Sequence, residues 1–82
     1  FEVTLLLGRL ATSLLLEEFP AAEDQLVLCD DGRHRLTTEV CSFKGVGRFV
    51  LGLYDDIEVT GSPEFIQYLK NHIQNLTQKI GM

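Results

Sequence analysis

The chain has 82 residues, of which 45% are hydrophobic, and its 7 basic and 12 acidic side chains give a net charge of −5. This length fits one small domain, and the hydrophobic content excludes an intrinsically disordered chain. Two cysteines exclude a disulfide-dense scaffold, and the acidic balance argues against direct binding of a nucleic-acid backbone. The sequence begins at Phe1 inside an apolar run, so we interpret residues 1–82 as one domain excised from a longer protein.

The apolar pattern predicts four strands and three helices. Alternating apolar and polar residues favour strands, whereas apolar residues spaced three and four apart favour helices. Pro20 and the turn sequence Asp30-Asp31-Gly32 separate elements in the first half of the chain. The predicted elements are a strand over 1–7, a helix over 9–19, strands over 25–29 and 33–43, a helix over 44–54, a strand over 57–60 and a helix over about 63–80.

Each predicted helix has an apolar stripe. We expect Leu10, Leu14 and Phe19 to form the buried side of the first helix, widened by the two leucines that follow Leu14. The prediction of the second helix is the weakest, because it contains three glycines that each cost about 1 kcal/mol relative to alanine. Its expected inward face comprises Val46, Phe49, Val50 and Leu53.

The third helix has the clearest boundaries. Ser62 is predicted to be its N-cap and Pro63 its first residue, and Gly81 is expected to cap its C-terminus. Its apolar residues follow spacings of three and four, as in a helix that packs along a seam. This stripe folds back on its own sheet or packs against another subunit or domain. It comprises Ile66, Leu69, Ile73, Leu76 and Ile80.

The order of elements predicts an α+β fold. Two βαβ units follow one another, and right-handed crossovers place both crossover helices on one face of the sheet. We therefore expect a ferredoxin-like βαββαβ two-layer sandwich with an extra C-terminal helix. By alternation, the helix-covered face is predicted to carry Val3, Leu5, Leu7, Leu26, Leu28, Leu36, Val40, Ile57 and Val59.

The opposite sheet face mixes apolar residues with a polar centre. Such a face suits a docking or effector surface, although a solvated face with scattered apolar residues is the ordinary alternative. The candidate contact residues on the sheet are Thr4, Arg35, Thr37 and Glu39. The candidate contact residues on the third helix are Ile66, Leu69, Ile73 and Leu76.

Neither a catalytic group nor a metal or cofactor site is predicted. His34 and His72 lie on different elements. Cys29 and Cys41 could be metal ligands, a disulfide or free thiols, and free thiols in a reducing cytoplasm are favoured because no CxxC motif is present. Central-strand positions on the open face hold no aromatic residue, which disfavours RNA stacking. Near helix starts, Arg9 and Arg48 could meet an anionic effector, but a solubilising surface role is the simpler interpretation.

Several short segments resemble one known family. They are Val3-Thr4-Leu5, Glu17-Glu18-Phe19-Pro20, and the run from Phe49 to Val59 followed by Pro63-Glu64. Together they are similar to the WCX region, the C-terminal extension of bacterial WYL-domain helix-turn-helix transcriptional regulators. Tyr54 departs from this pattern, because such sequences often carry glycine there, and Gly61-Ser62 before the proline also departs from it.

The resemblance implies a role in regulation. The full protein would carry a DNA-binding winged helix-turn-helix and a WYL sensor upstream, and this domain would serve dimer contacts, sensor control and effector response. DNA would be contacted by the full protein, and no membrane is involved. The leading hypothesis is a non-catalytic regulatory and oligomerisation domain that forms a homo-oligomer. The alternative is an ACT-like amino-acid-sensing module, and an acylphosphatase-type enzyme is a third possibility, faintly echoed by Gly8-Arg9.

Overall fold

The computed structural model describes residues 1–81 and shows an α+β chain with a four-stranded antiparallel sheet. The strands lie in the order β2-β3-β1-β4, so β1 and β3 are central. The arrangement is compatible with a small two-layer sandwich. The elements are β1 (Glu2–Leu7), α1 (Arg9–Glu18), a 3₁₀ segment (Pro20–Gln25), β2 (Leu26–Leu28), β3 (His34–Glu39), α2 (Phe43–Gly52), a second 3₁₀ segment (Tyr54–Asp56), β4 (Ile57–Thr60) and α3 (Pro63–Lys79).

A single apolar core joins one face of the sheet to all three helices. Val3, Leu5 and Leu7 alternate along β1 and are fully buried, as their period-two spacing predicts. Helix α2 contributes Val50 to this core, and α3 contributes Phe65. Burial of each such side chain stabilises the folded chain by about 1.5–3 kcal/mol.

Two predictions about the core are wrong. Leu10 and Phe19 are 55% and 58% exposed, and the buried residues of α1 are Ala11, Thr12 and Leu15, of which only Leu15 is part of the expected stripe. Ala11 and Thr12 lie four and three positions before Leu15 and share one side of the helix with it, whereas Leu10 lies on the other side. Leu28 is 67% exposed rather than covered, because it ends a three-residue edge strand that pairs only with β3.

The ends of α3 follow the predicted boundaries, but the role of Ser62 differs. Pro63 begins the helix, and Gly81 follows it with a φ of 80°, as a C-terminal glycine cap requires. The Ser62 hydroxyl does not cap α3; its oxygen accepts the backbone N–H of Thr4 at 3.0 Å. Ser62 therefore completes the hydrogen bonding of β1 where the ladder with β4 ends, and its side chain ties the start of α3 to the sheet.

Candidate functional site

The four predicted sheet residues lie together on the open face. Thr37 is paired with Thr4 across β3 and β1, and Arg35 and Glu39 lie two residues to either side of it. The three β3 residues are exposed, whereas Thr4 is half-buried. This face is therefore a mixed surface of hydroxyl groups and opposite charges.

The predicted stripe on α3 is divided between the core and the solvent. Leu69 is buried in the core of this chain, and Ile66 is half-buried. From Asn71 to the end of α3 every residue is exposed, including Ile73 at 49% and Leu76 at 56%. Only the second half of the stripe is therefore open to another molecule.

Aromatic contacts hold the first half of α3 against α2. The Phe43 ring lies 5.2 Å from the Phe65 ring and 5.5 Å from the Tyr68 ring, measured between centroids. Gly47 of α2 leaves room for this packing, because a Cβ atom there would lie 2.9 Å from Cε1 of Tyr68. From Asn71 to Lys79, α3 makes no aromatic contact with α2. This part of the helix extends from the domain, whose longest dimension is 40 Å.

The two arginines considered for anion binding are far from forming one site. Arg9 is an exposed residue at the start of α1, and Arg48 is an exposed residue of α2. The N-terminus of α1 already has an anionic partner, because the Ala11 N–H donates to the Asp56 carboxylate at 2.7 Å. The Gly8 N–H donates to the Asp56 backbone oxygen at 2.8 Å, so neither amide is free to cradle a phosphate.

Ion pairing within residues 1–81 is confined to Arg33. This side chain lies 2.8 Å from Asp31 in the β2–β3 turn and 3.6 Å from Glu58 of β4. The Arg33 backbone N–H and guanidinium both donate to Asp31, which lowers the pKa of that carboxyl below its ordinary value. The bond to Asp31 raises the pKa of Arg33. These charged side chains are exposed, and the bonds between Asp31 and Arg33 stabilise the β2–β3 turn.

A cleft in the surface was not predicted from the sequence. It has a volume of about 710 Å³ and lies between α1, the 3₁₀ segment Pro20–Gln25, β3 and α2. Its most buried lining residues are Leu5, Leu15 and Leu36. Half-buried Val46 and other apolar side chains form its walls. The volume falls within the 300–1,000 Å³ that is typical of small-molecule sites.

Charged residues occur only among the exposed residues of this cleft. Glu18, at the end of α1, and Arg48 are both exposed and lie more than 4.0 Å apart at their charged atoms. Glu39 also borders the cleft, although strand alternation directs its side chain to the open sheet face. The cleft therefore has an apolar interior and a charged mouth. Arg48 is the one predicted anion-binding residue that lines it.

The break at Phe19-Pro20, followed by two alanines, is the sequence signal that could have indicated this cleft. Pro20 begins a 3₁₀ segment, and Ala21 and Ala22 of that segment line the cleft. Gly45 lines it from α2, where a Cβ atom would meet nothing within 4 Å. Small residues on both sides leave space that larger side chains would fill.

The chemistry available in the described chain is limited. Residues 1–81 contain no group of three or more His, Cys, Asp or Glu side chains that could hold a metal ion. Cys29 and Cys41 are both free thiols, the first half-buried and the second exposed. Every buried side-chain nitrogen or oxygen in this range has a hydrogen-bond partner. No helix within residues 1–81 has the length and apolar character needed to cross a bilayer.

Comparison with known proteins gives no family for the chain. No family model, no curated protein and no solved structure matches it.

Proposed function

We propose that this chain is a non-catalytic regulatory domain that binds a small-molecule effector in the cleft between α1 and α2. The observation that carries the proposal is the cleft itself, which has about 710 Å³ of space over buried leucines. A pocket of this size with few polar groups suits binding by burial of apolar surface. Its lining contains no cysteine, serine or histidine that could act as a nucleophile or base.

The setting we propose is a bacterial transcriptional regulator of the WYL type, with this chain as its WCX-like extension. The strand order, read from the other edge as β4-β1-β3-β2, supports a ferredoxin-like architecture with α3 as an addition. The net charge of −5 favours DNA contact through other domains of the full protein. The sequence resemblance supports a cytoplasmic location and a homo-oligomer.

The effector proposal is tested by blocking the cleft without damaging the fold. In Gly45→Trp, the indole enters space at the wall of the cleft, whereas Ser13→Trp places the same side chain on α1 at an exposed position that does not line it. Gly45 has open space around an added Cβ atom. We expect a screen of apolar compounds, followed by ¹H–¹⁵N NMR, to shift the amides of Leu15 and Val46 in the parent chain and in Ser13→Trp.

The Gly45→Trp variant should lose these shifts while its circular dichroism spectrum stays that of the parent. Binding that persists unchanged in folded Gly45→Trp would refute the cleft as the effector site. A screen in which no apolar compound shifts the cleft amides would refute the effector role.

A contact between subunits through α3 is the second part of the proposal. The exposed half of the stripe places Ile73 and Leu76 on one side of a helix that extends from the domain. The variant Ile73→Gln/Leu76→Gln should lower self-association in analytical ultracentrifugation with little change in the unfolding midpoint. Gln74→Ala/Gln78→Ala, on the polar side of the same helix, is the matched control. A monomeric parent chain at millimolar concentration would contradict this part.

An ACT-like amino-acid sensor remains the alternative. The exposed edge strand β2, with Val27 at 49% and Leu28 at 67% exposure, supports side-by-side pairing of two sheets. That alternative expects free amino acids to bind between subunits. Thermal shifts with amino acids that persist in Gly45→Trp and vanish in Leu28→Lys would favour it over the cleft.

A further inference from the structure

We infer that the cleft selects a hydrophobic cation, a multi-ring or long-chain apolar molecule with one positive charge. This inference rests on the proposed effector role of the cleft and adds the chemical class of the ligand. The body of the ligand must be apolar, because the most buried lining residues are Leu5, Leu15 and Leu36. Since every buried side-chain nitrogen or oxygen in residues 1–81 already has a partner, the interior offers no polar group that waits for a ligand.

The charge of the ligand follows from the end of α1 at the mouth of the cleft. This helix ends in Glu17 and Glu18, and its last turn has no basic residue. The C-terminus of a helix carries a partial negative charge, so two carboxylates there repel it and a cation is favoured. Of the charged residues that line the cleft, Glu18 and Glu39 are acidic and Arg48 is basic, so the lining has one more acidic than basic residue. Glu23 and Asp24 lie in the next segment and do not line the cleft.

Aromatic rings provide a second source of attraction for a cation. Phe19 follows Glu18 directly, lines the cleft and is 58% exposed, which is unusual for a phenylalanine beside an apolar cavity. Phe49 lines the cleft from α2. The face of an aromatic ring attracts a cation within about 6 Å, and it offers no such attraction to an anion. Phe19 is therefore exposed enough to contact a bound cation.

The test uses three probes of similar shape and different charge. Tetraphenylphosphonium is the cation, triphenylphosphine oxide the neutral compound and tetraphenylborate the anion. Binding to the parent chain is measured by ¹H–¹⁵N NMR titration in sodium buffer at low ionic strength. We expect the cation to bind about tenfold more tightly than the neutral probe, equivalent to about 1.4 kcal/mol. The anion should bind more weakly than both, and added salt should reduce the preference for the cation.

Variants of residues at the mouth of the cleft separate the effect of charge on ligand binding from the effect of filling the cavity. Glu18→Gln should weaken the cation severalfold and leave the neutral probe unchanged, whereas Arg48→Gln should strengthen the cation. Ser13→Ala, an exposed change on α1 that does not line the cleft, is the matched control. Phe19→Leu, which keeps the apolar surface and removes the ring, should reduce the cation preference alone.

The possible failures are distinguishable. If the neutral probe binds the cleft as tightly as the cation, or the anion binds best, the cation inference is refuted while the effector role survives. If none of the probes binds and the screen of apolar compounds is also blank, both proposals fail. Cation binding that survives in Gly45→Trp would place the charge-selective site outside the cleft and would also overturn the inference.

Discussion

The N-terminus of α1 depends on a side chain that is distant in sequence, and this dependence gives a sharp test of the structure. Gly8 occupies the N-cap position and has no side chain with which to cap the helix. Asp56 takes that role from the second 3₁₀ segment, accepting the Ala11 N–H at 2.7 Å. Its carboxylate also lies where the partial positive charge of the helix favours an anion.

We expect Asp56→Ala to destabilise the chain by about 2 kcal/mol. Loss of a capping side chain costs about 0.5–2 kcal/mol, and loss of a favourable charge at a helix end costs about 0.3–1 kcal/mol. In a domain of this size, 2 kcal/mol lowers Tm by roughly 10 °C. Urea and thermal unfolding followed by circular dichroism measure both quantities. Asp55→Ala is the matched control, because this exposed neighbour makes no hydrogen bond to α1 and should change stability by less than about 0.5 kcal/mol.

A double-mutant cycle with Gly8 tests the same contact from the other side. A Cβ atom at Gly8 would overlap the Asp56 carboxylate, although the φ of −75° is open to any residue. Gly8→Ala should therefore destabilise the parent chain and should be neutral or slightly stabilising in Asp56→Ala, where the carboxylate is gone. Equal stability of Asp56→Ala and Asp55→Ala, or additive effects in the cycle, would refute the capping role.

Two further predictions concern α2 and the β2–β3 turn. Gly45→Ala should raise the free energy of unfolding in urea by about 1 kcal/mol, because the site is open, whereas Gly47→Ala should not, because its Cβ atom would crowd Tyr68. The lowered pKa of Asp31 means that its bonds to Arg33 contribute stability above the ordinary carboxyl pKa and lose it as pH falls through the lower folded-state pKa. Asp31→Asn should therefore reduce the pH dependence of the urea midpoint below about pH 4, and an unchanged profile would contradict this.

The parts of the fold that sequence predicts well depend on local rules. The alternation of apolar and polar residues predicts strand β1, because the face that a central strand turns toward the core must be apolar. Pro63 predicts the start of α3, because its fixed φ suits the first helical position, and Gly81 predicts the end, because glycine tolerates the positive φ of a C-terminal cap. These signals need no knowledge of what the element packs against.

Other features depend on tertiary contacts that no local rule contains. The stripe predicted for α1 consists of large residues, of which Leu15 is buried, yet Ala11 is also fully buried and Leu10 is exposed, because packing against the rest of the chain decides which side of the helix is covered. The cap of α1 joins residues 45 positions apart. The cleft is a space between elements, so no single residue of the sequence marks it. Alternation alone places Thr4 and Arg35 on one face of the sheet, but it does not identify a partner that contacts this face.

The cleft is also linked through α2 to the packing of α3. Val46 and Phe49 line the cleft from α2, and Phe43 of the same helix packs against the Phe65 ring of α3. A ligand at 100 times its Kd stabilises the ligand-binding conformation by about 2.7 kcal/mol. If that conformation holds α2 in a different position, α3 must adjust with it, because the close approach of Gly47 to Tyr68 leaves little free space between the two helices.

We therefore expect saturation with a cleft ligand to change the self-association constant of the parent chain in analytical ultracentrifugation. A variant that loosens the link, Phe43→Ala, should bind the ligand but lose this change. A self-association constant that is the same with and without a ligand bound in the cleft would show that the two sites act independently. In that case the cleft and α3 could not form one regulatory unit, even if each site functioned separately.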